Sequence, residues 1–133
     1  MSANKNSQLL RWIPAMILMA LIFLFSSTPA GKIPSFGEWD LLVKKGGHAL
    51  GFGMLGLAYS YALPPRLARG PRWLLSLFMV ILFALSDEFH QSFVQGRNSS
   101  LVDVFIDTGG ALVALTVAFA TAYSSNSRSK SIS

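Results

Sequence analysis

Residues 86–107, SDEFHQSFVQGRNSSLVDVFID, join two long apolar segments and carry five side chains of Asp, Glu or Arg. These side chains are Asp87, Glu88, Arg97, Asp103 and Asp107. Neither residues 73–85, before the stretch, nor residues 108–123, after it, contain a charged side chain. A charge at the centre of a bilayer costs several kcal/mol, so uncharged runs of this kind predict membrane-spanning helices. The charged side chains between the two runs predict that the helices meet at one polar end.

The composition of the chain indicates the same class of protein. The 133 residues suffice for one domain, and 52% of them are hydrophobic while only 13% are charged, compared with roughly 25% charged in an average soluble domain. We therefore predict an all-α, polytopic integral membrane protein of about four transmembrane helices. The chain has no cysteine, which excludes disulfides, thiolate catalysis and cysteine-type zinc sites.

Four apolar segments give the predicted domain organisation. The predicted spans cover about residues 9–25, 46–63, 73–93 and 100–123, and each is close to the length that crosses a bilayer. The first is also short enough for a signal-peptide core, with Thr28-Pro29-Ala30 as a cleavage site, but we expect a retained span. Residues 1–8 form an N-terminal segment, residues 9–123 the four-helix membrane domain, and residues 124–133 a Ser-rich basic tail predicted to be disordered.

Two smaller features accompany the second span. Residues 31–45 form a polar loop in which we expect a short interfacial helix over residues 36–43, with Trp39 at the membrane–water boundary. Glycines at four positions of the second span allow close approach of another helix, and we interpret them as packing residues. They are Gly47, Gly51, Gly53 and Gly56.

The basic residues set the expected orientation. With four spans, the N-terminus, the second loop and the tail share one side of the membrane, and that side has the larger number of Lys and Arg residues. They are Lys5, Arg11, Arg66, Arg69, Arg72, Arg128 and Lys130. Because positive loops stay inside, both termini are predicted to be cytoplasmic. The net charge of +5 is explained by these flanks, so nucleic acid is not an expected partner; the lipid bilayer is.

In this orientation the polar parts of spans two, three and four meet at the outer face, where we predict a polar cluster. Its members are Lys45, His48, Ser86, Asp87, Glu88, His90, Gln91, Arg97, Ser100, Asp103 and Asp107. Structural roles remain open for some of them: Ser100 and Asp103 suit a helix N-terminus, and Arg97 suits a bridge to a carboxylate or an anionic ligand. Glu88 lies inside its helix and cannot cap either end.

The sequence predicts the location of this cluster more specifically than it predicts its chemistry. His48, His90, Glu88 and Asp103 are ligands suited to zinc or manganese, but no compact metal-binding spacing is present, so neither a metal nor a cofactor is predicted. No established catalytic motif is present either. Two alternatives to ligand binding remain open. One is acid–base chemistry by Glu88 or His48 on a lipid-linked or phosphorylated envelope substrate. The other is a purely structural or assembly role.

Two segments carry a family resemblance. KKGGHALGF (residues 44–52) and SDEFHQSFVQGRNSSLVDVFIDTGG (residues 86–110) resemble the VanZ-like family of small bacterial membrane proteins, and the likeness extends from about Phe25 to the end of span four. The matching positions are Lys45, His48 and Phe52, then Ser86, Glu88 and Gln91, then Gly96 and Arg97, then Ser100, Asp103 and Gly110. This chain has Gln95 where the family usually has proline, and Asp107 where many members have asparagine.

The resemblance implies a function related to the cell envelope. The founding member of the family is associated with low-level resistance to teicoplanin, a lipid-bearing glycopeptide. By this resemblance, we expect a bacterial inner-membrane protein whose outer polar pocket binds an envelope lipid or saccharide, or the antibiotic itself.

Overall fold

The computed structural model describes residues 4–132, and within them it contains helices and no strand. Two single turns of 3-10 helix lie at Ala30–Lys32 and Gly37–Trp39. The five α-helices are α1 Lys5–Leu10, α2 Ile13–Ser26, α3 Asp40–Ala62, α4 Arg69–Gln91 and α5 Leu101–Ser131. The prediction of an all-α membrane protein is confirmed.

Among residues 4–132, three helical segments are long and apolar enough to cross a membrane by themselves. They are Lys5–Ser26, which joins α1 and α2, together with α4 and α5. α3 is as long as α4 but begins with Asp40, Lys44 and Lys45, and it lies in the middle of the bundle, against α2, α4 and α5. These lengths and compositions describe a multi-pass membrane protein.

The closest approach in the bundle is between α3 and α5. A Cβ atom built on Gly110 of α5 would lie 2.1 Å from the backbone oxygen of Ala49, and one on Gly53 would lie 3.2 Å from the oxygen of Gly110. Gly53 and Gly56 therefore do pack against another helix, as predicted. Gly47 does not, since a Cβ on it would meet nothing within 4 Å, while a Cβ on Gly51 would contact the Ile22 side chain of α2 at 3.8 Å. Small residues on one face let two backbones approach, whereas these two glycines leave a groove.

Hydrogen bonds between distant residues define two ends of the bundle. At one end, Gln8 donates to the oxygen of Ala62 at 2.7 Å and Arg11 donates to the oxygen of Tyr61, so the start of the first segment meets the end of α3. α3 stops there because Leu63 precedes Pro64 and takes an extended conformation, as residues before proline tend to do. The other end combines the last turns of α2 and α4 with the first turns of α3 and α5.

Two boundaries differ from the sequence expectations. In place of a separate interfacial helix, a single 3-10 turn at Gly37–Trp39 leads directly into α3 at Asp40. The segment predicted to be a disordered tail continues α5 as far as Ser131. No glycine or proline follows Gly110 to stop that helix. Ser124 and Ser127 also donate to carbonyl oxygens of the preceding turn, at 3.2 and 2.9 Å.

Candidate functional site

A cavity of about 430 Å³ opens between the first turns of α3 and α5 and the last turns of α4. The segment around the first 3-10 turn and the α4–α5 loop close its sides. Its lining residues are Ala30, Ile33, Asp40, Leu41, Lys44, Lys45, His48, Glu88, Gln91, Gly96, Arg97, Asn98, Ser100, Asp103, Ile106 and Asp107. We refer to this cavity as the polar pocket.

The α3 and α5 walls of the polar pocket face each other through two pairs of side chains. Lys45 of α3 forms a salt bridge with Asp103 of α5, and one helical turn deeper His48 Nδ1 lies 3.7 Å from Asp107 Oδ1. That distance is too long for a hydrogen bond. Neither carboxylate oxygen of Asp107 has a hydrogen-bond partner, although the side chain is only 1% exposed. The pocket wall thus contains a buried acceptor that lacks a donor.

Glu88 connects α4 to the start of α5. Its Oε2 atom accepts a hydrogen bond of 2.9 Å from the backbone N–H of Ser100, and the residue is 6% exposed. Ser100 is the N-cap of α5, since its hydroxyl oxygen accepts from the backbone N–H of Val102 at 3.1 Å. A capping hydroxyl satisfies one of the free amides at a helix start. The structural role considered for Ser100 is therefore present, while Glu88 faces the pocket from within its helix.

Arg97 ties the α4–α5 loop to the end of α2. Its Nε atom donates to the oxygen of Thr28 at 3.1 Å, and its Nη2 atom donates to the oxygen of Phe25 at 2.9 Å. These acceptors are backbone carbonyls near a helix C-terminus, where a cation is favourable. Of the two roles left open for Arg97, the bridge to a carboxylate is absent among the described residues. The neighbouring Gly96 has φ +76° and lies against Ala30, a backbone conformation that favours glycine.

A second group of polar side chains lies at the seam between α2 and α4, beside the pocket. Ser26 donates to Asp87 Oδ2 at 2.7 Å, and Gln91 donates to the same oxygen at 3.0 Å. Ser27 shares a hydrogen bond of 2.8 Å with His90 Nε2. We call these five residues the seam cluster. Ser26 and Ser27 were not predicted as site residues, because at the end of an apolar run they indicate only where a helix stops.

The predicted cluster is therefore divided by the structure. Lys45, His48, Glu88, Gln91, Arg97, Ser100, Asp103 and Asp107 line the polar pocket. Asp87 and His90 belong to the seam cluster instead, and Ser86 is exposed and outside the pocket. The difference arises because residues 86, 87, 88 and 90 point in different directions around one helix. Within residues 4–132 no three His, Asp or Glu side chains are arranged to hold a metal ion.

Charge is distributed unevenly between the two ends of the bundle. All six acidic residues of the chain lie at the end that contains the polar pocket: Glu38, Asp40, Asp87, Glu88, Asp103 and Asp107. The basic residues that the sequence assigns to the cytoplasmic side lie toward the opposite end and on the C-terminal turns of α5. The polar pocket thus lies at the end of the bundle that has both acidic and basic groups.

Comparison with known proteins gives a match to a protein family. Residues 11–122 match a family model described as VanZ/LLP1, and this range includes every residue that lines the polar pocket. The resemblance inferred from the motifs is therefore confirmed. No curated protein and no solved structure matched the chain.

Proposed function

The chain belongs to the VanZ/LLP1 family, and on that basis we propose that it binds an envelope component or a lipid-bearing glycopeptide at the polar pocket. The proposed location is the bacterial cytoplasmic membrane, with the pocket on the extracytoplasmic side and both termini in the cytoplasm. The proposed consequence is a change in susceptibility to teicoplanin-type glycopeptides.

The observation that carries this proposal is the pair of buried carboxylates on the pocket wall. Glu88 is 6% exposed and accepts a hydrogen bond from Ser100 N–H. Asp107 is 1% exposed on its side chain, and its ion-pair contact is His48 Nδ1 at 3.7 Å, with no hydrogen bond to either carboxylate oxygen. Burying a carboxylate costs free energy unless it is paired or hydrogen-bonded, and ionisable groups within membrane-spanning helices usually have a function. A ligand that donates hydrogen bonds compensates this cost.

The orientation follows from the charge distribution. Cytoplasmic loops of membrane proteins carry an excess of Lys and Arg, and acidic residues contribute little to orientation. The short loop between α3 and α4 and the turn after it contain Arg66, Arg69 and Arg72, and no acidic residue accompanies them. On this support we propose that the loop is cytoplasmic and that the polar pocket is at the outer face.

A membrane enzyme is the second candidate. Its support is that Glu88 and His48, the two acid–base candidates, both line the same pocket. The substrate would be a lipid-linked or phosphorylated envelope compound. A role only as structural glue is better supported for Asp87, whose Oδ2 accepts from two neighbours, than for Glu88.

Drug susceptibility with a conservative variant tests the proposal. Wild type, Glu88→Gln and Glu38→Gln are expressed at matched membrane levels in a glycopeptide-sensitive Gram-positive host, and inhibitory concentrations of teicoplanin and vancomycin are measured. Gln retains a side-chain oxygen that can accept from Ser100 N–H, so Glu88→Gln is expected to remain folded. Glu38 is exposed and outside the pocket, which makes Glu38→Gln the matched control.

We expect wild type and Glu38→Gln to protect against teicoplanin selectively, and Glu88→Gln to lose this protection at unchanged thermal stability. Equal protection by all three proteins would contradict a role for the pocket. Loss of stability in Glu88→Gln would assign Glu88 to helix packing instead. A well-expressed wild type without protection would remove the resistance function, and envelope lipids would then be screened as enzyme substrates.

A further inference from the structure

An apolar groove of about 490 Å³ runs along the outside of α2 and α3, next to the polar pocket. Its walls are side chains of α2, of the segment after the first 3-10 turn, and of α3. The lining residues other than glycine are Leu18, Leu21, Ile22, Phe25, Ile33, Pro34, Phe36, Val43, Lys44, His48 and Phe52. We call this the α2–α3 groove.

Two glycines form part of the groove wall on α3. Gly47 and Gly51 are one helical turn apart and both line the groove, and residues with this spacing share a helix face. A Cβ on Gly47 would meet nothing within 4 Å, and one on Gly51 would lie 3.8 Å from Ile22. The missing side chains therefore create the space. They do not bring another helix closer, as Gly53 and Gly56 do.

The groove and the polar pocket are adjacent. Ile33, Lys44 and His48 line both cavities and so form a wall that the two share. One cavity is lined almost entirely by apolar atoms, and the other contains Glu88, Asp103 and Asp107. This combination matches an amphiphile that has a hydrocarbon chain joined to a polar head.

We propose that the α2–α3 groove holds the hydrocarbon chain of a membrane lipid whose head group enters the polar pocket and donates hydrogen bonds to Asp107. This inference rests on the proposed ligand-binding function of the pocket and names the class of ligand. The groove lies on the outside of two membrane helices, so such a lipid enters from the bilayer without passing through water.

The charges of the pocket specify the head group. The basic side chains are already engaged: Lys44 with Asp40 at 2.8 Å, Lys45 with Asp103, and Arg97 with backbone carbonyls. The unsatisfied groups are the two oxygens of Asp107, which accept hydrogen bonds. The fitting head groups therefore carry hydroxyl or ammonium donors, as in a glycosyl lipid or an ethanolamine lipid. A head group without a donor, such as choline, leaves Asp107 unsatisfied.

Lipid retention tests this inference on the full chain. The protein is placed in nanodiscs of phosphatidylcholine doped with equal small fractions of diglucosyl-diacylglycerol or phosphatidylethanolamine with the same acyl chains. The protein is released from the nanodiscs, and the lipids that remain bound to it are quantified by native mass spectrometry. The variants are Gly47→Leu, which fills the groove, Gly46→Leu as its control, and Asp107→Leu. Gly46 also has open space around it but lines neither cavity.

We expect wild type and Gly46→Leu to enrich at least one donor-bearing lipid about tenfold over its fraction in the disc, as one hydrogen bond to a charged group allows. Gly47→Leu should lose the bound lipid, and Asp107→Leu should lose the preference for donors. Enrichment of the glycosyl lipid alone assigns hydroxyl donors, and enrichment of the ethanolamine lipid alone assigns ammonium.

Three results would overturn the inference: no enrichment of either lipid by folded wild type, enrichment that survives Gly47→Leu, or retention equal for choline and donor-bearing lipids. These are distinguishable from failure of the proposed function. A wild type that protects against teicoplanin through Glu88 but retains no lipid leaves the pocket function intact and removes only the lipid ligand.

Discussion

Ser26 Oγ donates a hydrogen bond of 2.7 Å to Asp87 Oδ2, although 61 residues separate the two in the chain. The bond joins the last turn of α2 to the last part of α4, and Gln91 donates to the same oxygen at 3.0 Å. Asp87 is 2% exposed, and the bonds to its Oδ2 connect it across the seam between the first and third long helical segments, whereas its Oδ1 has no hydrogen-bond partner. The polar pocket lies beside that seam.

Replacement of Asp87 tests the seam cluster. Asp87→Leu keeps a similar size but leaves the Ser26 hydroxyl without its acceptor and the Gln91 amide with only the Ser26 Oγ bond of 3.2 Å. This loss should lower the free energy of unfolding by about 1–2 kcal/mol. Asp87→Asn retains an acceptor oxygen and should lose less. Thermal unfolding in detergent measures the difference. An unchanged midpoint in Asp87→Leu would show that the seam cluster does not stabilise the bundle.

Gly110 and Gly109 form a matched pair for the α3–α5 contact. A Cβ on Gly110 would lie 2.1 Å from the oxygen of Ala49, whereas one on Gly109 meets nothing within 4 Å. Gly110→Ala is expected to destabilise the protein by about 1–3 kcal/mol through overpacking, or to prevent folding. Gly109→Ala should be neutral or stabilising, since alanine favours helix. Both variants are heated and then analysed by size-exclusion chromatography, which reports monodispersity and the melting temperature. Equal behaviour of the two variants would contradict the close approach of α3 and α5.

Replacement of Arg97 tests whether this cation has a structural role or binds the ligand. Arg97→Lys removes the planar group that donates to Thr28 and Phe25 oxygens together, and lysine does not reproduce that geometry. We expect a loss of about 1 kcal/mol in stability with a lowered melting temperature. Arg66→Lys, at an exposed position near the other end, is the control. Unchanged stability combined with altered drug susceptibility would show that Arg97 contacts the ligand directly.

The absence of cysteine from the chain allows the orientation to be measured without background. A membrane-impermeant maleimide should label Glu38→Cys in intact cells, because residue 38 is assigned to the outer face. Arg66→Cys should be labelled only after permeabilisation, because the loop after α3 is assigned to the cytoplasm. The reverse labelling pattern would place the polar pocket in the cytoplasm and contradict the proposed function.

Much of the site was predictable because it depends on helix periodicity. Asp103 and Asp107 are four residues apart, so they share one face of α5, and both line the polar pocket as expected. The end of α3 before Pro64 and the cap at Ser100 follow from local chemistry. The start of α3 at Asp40 was less accessible to prediction, because apolarity marks the segment that enters the membrane and not the first turn of the helix.

The seam cluster and the α2–α3 groove were not predictable from local patterns. Ser26 and Ser27 gain their roles only from side chains of α4 more than 60 residues away. Gly47 and Gly53 are the same residue type on one helix, yet Gly47 borders a groove while Gly53 packs against Gly110. Which face of α3 meets α5 is decided by the packing of whole helices.

The class of protein, the approximate positions of the long helices, the gathering of acidic residues toward one end and the family could be predicted from the sequence, because hydropathy, charge and motif spacing are local properties of the chain. Which polar side chains share a pocket depends on how the helices pack. The tertiary structure divided Asp87 from Glu88, gave Arg97 backbone partners and left Asp107 without a donor. The physical reason is that neighbours on one helix point in different directions, and their partners come from other helices whose rotation is set by packing.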